Sequence, residues 1–196
     1  MRKMVFGLLL GSLILSNPTF VFSVEKKPAA VEVKSEMKLD PDQIWKAYLE
    51  NVEASKVSGD LVYSKEFLEI IEPTVKALPE ILKDQLEKKV TFDSVGRARI
   101  TYLKYCLNNG SVDKLLRLWG LDAEGAFVVK EMIKDLVERF EETLKDAPAI
   151  LEARGVTEED VMLSRLSKEN FEKYKKGNLT IGDLIASQPS LIVNDD

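Results

Sequence analysis

DAEGAFVVKEMIKDLVERFEETLKD, residues 122–146, is the stretch whose reading decides the fold. Ala126, Val129, Met132, Ile133, Leu136, Val137, Phe140 and Leu144 recur at three- and four-residue steps, so a helix would gather them into one stripe that carries no charge. On the opposite side Asp135 stands four residues before Arg139, and Glu141 four before Lys145. Such pairs add only a few tenths of a kcal/mol each, but they suit a solvated outer face. The segment is therefore expected to be a long amphipathic helix with one side buried against other helices.

The same pattern extends in both directions. Upstream, Ser111 is expected to cap a short helix carrying Val112, Leu115, Leu116 and Trp119, ended by Gly120. Before it, Asp93 is expected to cap a helix running to Leu107 and closed by Asn108-Asn109-Gly110. Further back, a helix carrying Val75, Leu78, Leu82 and Leu86 is expected to run to about Val90, bent at Pro79. A shorter one, capped by Ser64 and carrying Phe67, Leu68, Ile70 and Ile71, is stopped or kinked by Pro73. Order begins at Asp40-Pro41-Asp42-Gln43, a helix start with cap, proline and capping-box partner, followed by Ile44, Trp45, Tyr48 and Val52 on one face and an exit at Gly59.

Downstream, Pro148 and Gly155 bracket a short turn of helix, and the acidic first turn Thr157-Glu158-Glu159-Asp160 opens another. A helix from Ser167 to Lys176 ends at Gly177, and a last one spans Ile181 to Ala186 before Pro189 and the apolar tail Leu191-Ile192-Val193. No strand pair or internal repeat competes with this pattern. The expected fold is all-α, an irregular bundle of about seven or eight helices.

Arg2 and Lys3 precede an uncharged run from Met4 to Val24 whose most apolar part, Val5 to Leu15, is too short to span a membrane and is broken by Asn17-Pro18. This reads as a signal peptide cleaved after Ser23; retention as an anchor is the alternative. Residues 24–39 mix Pro, Ala, Lys, Glu and Val without helical period and are expected to form a tether, which extended would reach about 50 Å. Residues 40–196 then form a single helical domain, in a protein that is periplasmic or secreted. Removal of residues 1–23 leaves 26 Lys and Arg against 33 Asp and Glu, a net charge of −7 where the whole chain has −5. That balance, with no basic stripe, argues against nucleic acid as partner.

Histidine is absent and Cys106 is the one cysteine, so the commonest general base and the ligands of zinc and di-iron sites are missing; no calcium-loop motif occurs either. No metal and no cofactor is expected. Ser35-x-x-Lys38 and Ser111-x-x-Lys114 have the spacing that sets a hydroxyl beside an amine. The first lies in the tether, and a cap accounts for Ser111. Glu66, Glu69 and Glu72 could serve as acid and base partners, though a solvated acidic face accounts for them. Asn109-Gly110-Ser111 and Asn178-Leu179-Thr180 match glycosylation sequons. The 191–193 tail is expected to pack on its own bundle, with peptide-style docking elsewhere as the alternative.

Arg99 stands apart. On a 100° wheel Phe92, Val95, Tyr102, Leu103 and Cys106 surround it, which puts a guanidinium in the middle of an apolar stripe. It must pair with a carboxylate, snorkel to the surface, or face a pocket that receives an anionic group in fork geometry. Arg99 and Tyr102 are accordingly the candidate ligand-binding residues, with Tyr105 and Trp119 as further aromatics that could line a groove or fill the core. The functional expectation is an exported, non-enzymatic binding module for a protein, peptide or small anionic ligand. The alternative is a small envelope hydrolase using carboxylates, or Ser111 with Lys114.

Overall fold

The computed structural model describes residues 39–54 and 64–194, and these are all-helical. Eleven helices lie among them: α1 (Pro41–Ala54), α2 (Lys65–Lys76), α3 (Leu78–Ile81), α4 (Phe92–Asn108), α5 (Ser111–Leu118), α6 (Ala123–Lys145), α7 (Ala147–Ala153), α8 (Glu158–Arg165), α9 (Lys168–Lys175), α10 (Ile181–Ser187) and α11 (Ser190–Val193). The signal segment, nearly all of the tether, Ser35-x-x-Lys38 and Gly59 lie outside the described residues. Leu39, the end of the expected tether, already packs against the core. No described helix is long and apolar enough to cross a membrane.

The helix count exceeds the expectation because α3, α7 and α11 are single turns or little more. Most start signals hold. Asp40, Ser64, Asp122 and Ser167 each accept a backbone N–H from the first turn that follows. Thr157 and Asp160 form a reciprocal capping box, as do Thr180 and Asp183. Gly110, Gly120, Gly155 and Gly177 take positive φ at helix junctions, the left-handed conformation that makes glycine the usual terminator.

Four local expectations need correction. The cap of α4 is Thr91, whose hydroxyl accepts from Ser94 N at 3.0 Å while Ser94 Oγ accepts from Thr91 N at 2.8 Å; Asp93 sits inside the first turn and pairs with Arg97 at 2.8 Å. Ser111 is the first residue of α5 rather than its cap, because Gly110 takes that place in the left-handed conformation and Asn109 Oδ1 accepts the Ser111 N–H at 2.9 Å. Pro73 does not stop α2, which continues to Lys76. Finally, no helix runs on to Val90. After Ile81 the chain descends through tight turns such as Gln85 N to Leu82 O at 2.7 Å, and is then drawn into an antiparallel bridge between Lys89 and Thr180. Val90 N donates to Leu179 O and Ile181 N to Lys88 O, both at 2.9 Å, so pairing with a distant segment wins over local helix propensity.

The long helix α6 buries Ala126, Val129, Ile133, Val137 and Leu144 along the expected stripe, while Met132 at its edge stays half exposed. Its main partner is α4, which also meets α3, α5, α8, α10 and α11 and so forms the axis of the bundle. Gly96 permits the closest approach: a Cβ there would lie 2.7 Å from Leu144 Cδ1. On the other side α1 packs against α2, α10 and α11. The tail residues Leu191 and Ile192 are fully buried as part of α11.

Candidate functional site

Arg99 lies on the side of α4 that faces α8 and α11. There a small cleft opens, walled by Phe92, Val95 and Gly96 of α4, Phe140 of α6, Met162 of α8 and Leu191 of α11. Two arginines line it, Arg99 and Arg165, the last residue of α8. Its volume, about 20 Å³, is room for about one water.

Several contacts fix the walls. Phe92 N donates to Glu158 Oε1 at 3.0 Å and the Tyr174 hydroxyl donates to the same oxygen at 3.3 Å, so one carboxylate ties the starts of α4 and α8 to α9. Burial, and then the nearby Glu158 charge, push Tyr174 up to about 12, which keeps its hydroxyl a donor through neutral pH. Arg165 offers its carbonyl to Gln188 Nε2 at 2.7 Å, while Gln188 Oε1 accepts from Ser167 N at 2.9 Å. The end of α8 is thereby held on the segment that leads into α11. Arg99 itself is part-buried, and its Nη2 donates to the carbonyl of Asn194 at 3.1 Å. Asn194 is fixed in turn, because its Oδ1 accepts from the Tyr48 hydroxyl at 3.0 Å.

The second residue read as a ligand contact, Tyr102, is elsewhere. It is buried in the core, its hydroxyl shared with Thr74 Oγ1 at 2.8 Å, and Thr74 donates onward to Ile71 O at 2.7 Å. The structure does not bring Tyr102 to the cleft of Arg99. Three residues further along α4, the stripe has rotated it towards α2. Cys106 lies beside it, and burial pushes its thiol from the ordinary 9.0 up to about 11, the state of an unreactive thiol rather than a nucleophile. Tyr102 is likewise pushed well above the usual tyrosine range, first by burial.

The other pairings noted in the sequence are also placed. Ser111 is buried at the start of α5 whereas Lys114, one turn on, faces solvent. Glu69 pairs with Lys65 at 3.4 Å and Glu72 with Lys76 at 2.8 Å. Lys76 also reaches Asp42 at 2.7 Å, and these two carboxylates raise its proton affinity. Tyr105 and Trp119 are part-exposed, so the expected burial of Trp119 on the α5 stripe does not occur. Among the described residues no cluster of three or more His, Cys, Asp or Glu could hold a metal ion.

Arg165 and Met162 escaped the sequence reading although their signal was of the same kind. Arg165 stands four residues after Val161 and three after Met162, both buried, so it too falls along an apolar stripe. Chemically, the cleft brings two arginines, each also engaged within the protein, into apolar surroundings. The described residues that line it include no carboxylate, hydroxyl, thiol or amine that could act as nucleophile or general base. Comparison with known proteins adds no relative: no protein-family model matches the chain, and neither the curated proteins nor the solved structures returned a match.

Proposed function

We propose that this protein is an exported, non-enzymatic binding module whose ligand places an anionic group between Arg99 and Arg165. The observation that carries this reading is the presence of two arginines, from different helices, in the lining of one apolar-walled cleft. A guanidinium is planar, permanently charged and weakly hydrated, and its fork matches a carboxylate or phosphate in two parallel hydrogen bonds. The attraction of an anion to such a group is strongest where apolar walls exclude water. The surrounding Phe92, Phe140, Met162 and Leu191 would have to part to admit a ligand's head, and their apolar character favours one whose charged head is followed by an apolar portion. Absence of a nucleophile or base from the lining supports binding over hydrolysis.

The test is titration with inorganic phosphate and with a medium-chain fatty carboxylate, read by thermal melts and amide chemical shifts in wild type, Arg99→Met and Arg165→Met. Binding is expected in wild type, with the carboxylate tighter than phosphate, and about tenfold or weaker binding in either variant. Anion effects that are equal in all three proteins would overturn the assignment.

A further inference from the structure

Away from the cleft, the outer face of α6 carries side chains that neither the core nor the anion site uses. Seven large hydrophobic residues are exposed among those described, and five of them fall within residues 118–132: Leu118, Trp119, Phe127, Val128 and Met132. Phe127 is 64% exposed, Val128 51% and Met132 49%. The helix has no structural use for them there, since its buried stripe is complete without them. Between them runs a line of acid. Glu124, Glu131, Asp135, Glu138 and Glu142 stand at spacings of seven, four, three and four, which on a 100° wheel keeps them within about 60° of one another. Phe127 flanks this line on one side and Val128 and Met132 on the other. Of the nearby bases Lys130 is engaged off this face, with Asp113 at 2.6 Å, whereas Lys134 pairs with Glu131 of the line at 2.6 Å and Arg139 stands four residues after Asp135, so Glu124, Glu138 and Glu142 carry most of the acid.

We infer that this face of α6 docks a basic amphipathic helix from a partner protein. Its apolar side would cover Phe127, Val128 and Met132 while its Lys or Arg residues meet the acidic line. Charge decides between possible occupants. A second copy would bring acid against acid along the same line, and an anionic lipid surface would be repelled by it. A cationic helix gains from both the apolar and the charged parts. The inference goes beyond the anion cleft and does not depend on it, because the two lie on different faces of α6.

Trp119, 45% exposed and four residues before α6 begins, supplies a reporter once the part-buried Trp45 is replaced by Phe. The full chain bearing Trp45→Phe is titrated with three synthetic peptides of about 18 residues, five turns of helix. One is an amphipathic Lys/Leu helix, one a scramble of it without an apolar face, and one its Glu/Leu counterpart. Saturable binding with a blue shift of Trp119 is expected for the first, and about tenfold or weaker binding for the other two. Phe127→Ser, Val128→Ser and Met132→Ser together should weaken the Lys/Leu peptide about tenfold. Glu124→Gln with Glu138→Gln should reduce the salt dependence, and Arg99→Met should leave the peptide affinity unchanged. Because the altered side chains are exposed, melting curves of the variants should match the parent; if the triple Ser variant does not fold, Val128→Lys alone replaces it. The proposal fails if the Ser variant binds as the parent does, or if the scrambled peptide binds as well as the amphipathic one. It also fails if light scattering shows a dimer that the Ser variant loses, which would make a second copy the occupant, or if anionic vesicles bind through this face.

Discussion

Thr74, Tyr102 and Cys106 form a polar knot inside the core, and its chemistry sets how the fold responds to alkali. A thiol held at about 11 in the folded chain but near 9.0 when exposed favours folding while both states are protonated. As pH rises past 9 the unfolded chain loses its proton first, so stability falls until the folded thiol also ionises near 11. The slope approaches about 1.4 kcal/mol per pH unit only midway between the two values, so the loss between pH 9 and 11 is about 2 kcal/mol. Urea unfolding of wild type and Cys106→Ala at these two pH values should give a steeper decline in wild type; parallel declines would mean that the thiol is solvated in the folded state. Arg99 was legible as anomalous because a charge in an apolar stripe violates a rule that α6 obeys. Its partner, the Asn194 carbonyl, was not legible, since a backbone group 95 residues away leaves no mark in local periodicity.

Helices were read mainly from caps and apolar period, and where both agreed the reading held, as in α6 and α8; α9 and α10 were placed without a named cap, and the structure supplies Ser167 and Thr180. It failed where a long-range contact overrode a local signal. Residues 82–88 have helical periodicity, yet the pairing of Lys89 with Thr180 turns them into a descending series of turns. Trp119 fell on an apolar stripe in the sequence, but α5 ends one residue earlier and the ring is left part-exposed. Contact between α4 and α6 yields a prediction for a residue that sequence reading passed over. Gly96→Ala gains about 1 kcal/mol of helix propensity, but its Cβ would lie 2.7 Å and 2.9 Å from the two terminal carbons of Leu144, which is 3% exposed and enclosed. The crowding term wins, and a net loss of about 1–2 kcal/mol is expected from urea midpoints. Neutral or increased stability would show that Leu144 has room to turn away. A shifted wall should also weaken anion binding in the adjoining cleft.

For the whole molecule, the prediction concerns where the mature chain starts. Protein recovered from its native host is expected to begin near Val24, with the mass of residues 1–23 missing; an intact chain in a membrane fraction would make the first segment an anchor instead. The helical class was legible because period and caps repeat along the chain, while the arrangement of the helices depended on contacts that no local pattern encodes. The farthest of these carry a consequence for synthesis. Tyr48 meets Asn194 across 146 positions, Asn51 meets Ser190 across 139, and α1 packs against both α10 and α11. A ribosome delivers α1 and its neighbour α2 first and α10 and α11 last, so one side of the earliest helix stays uncovered for almost the whole of translation. Enclosure of α1 on both sides therefore awaits the final dozen or so residues, and the last turns of the chain act as the clasp of the bundle.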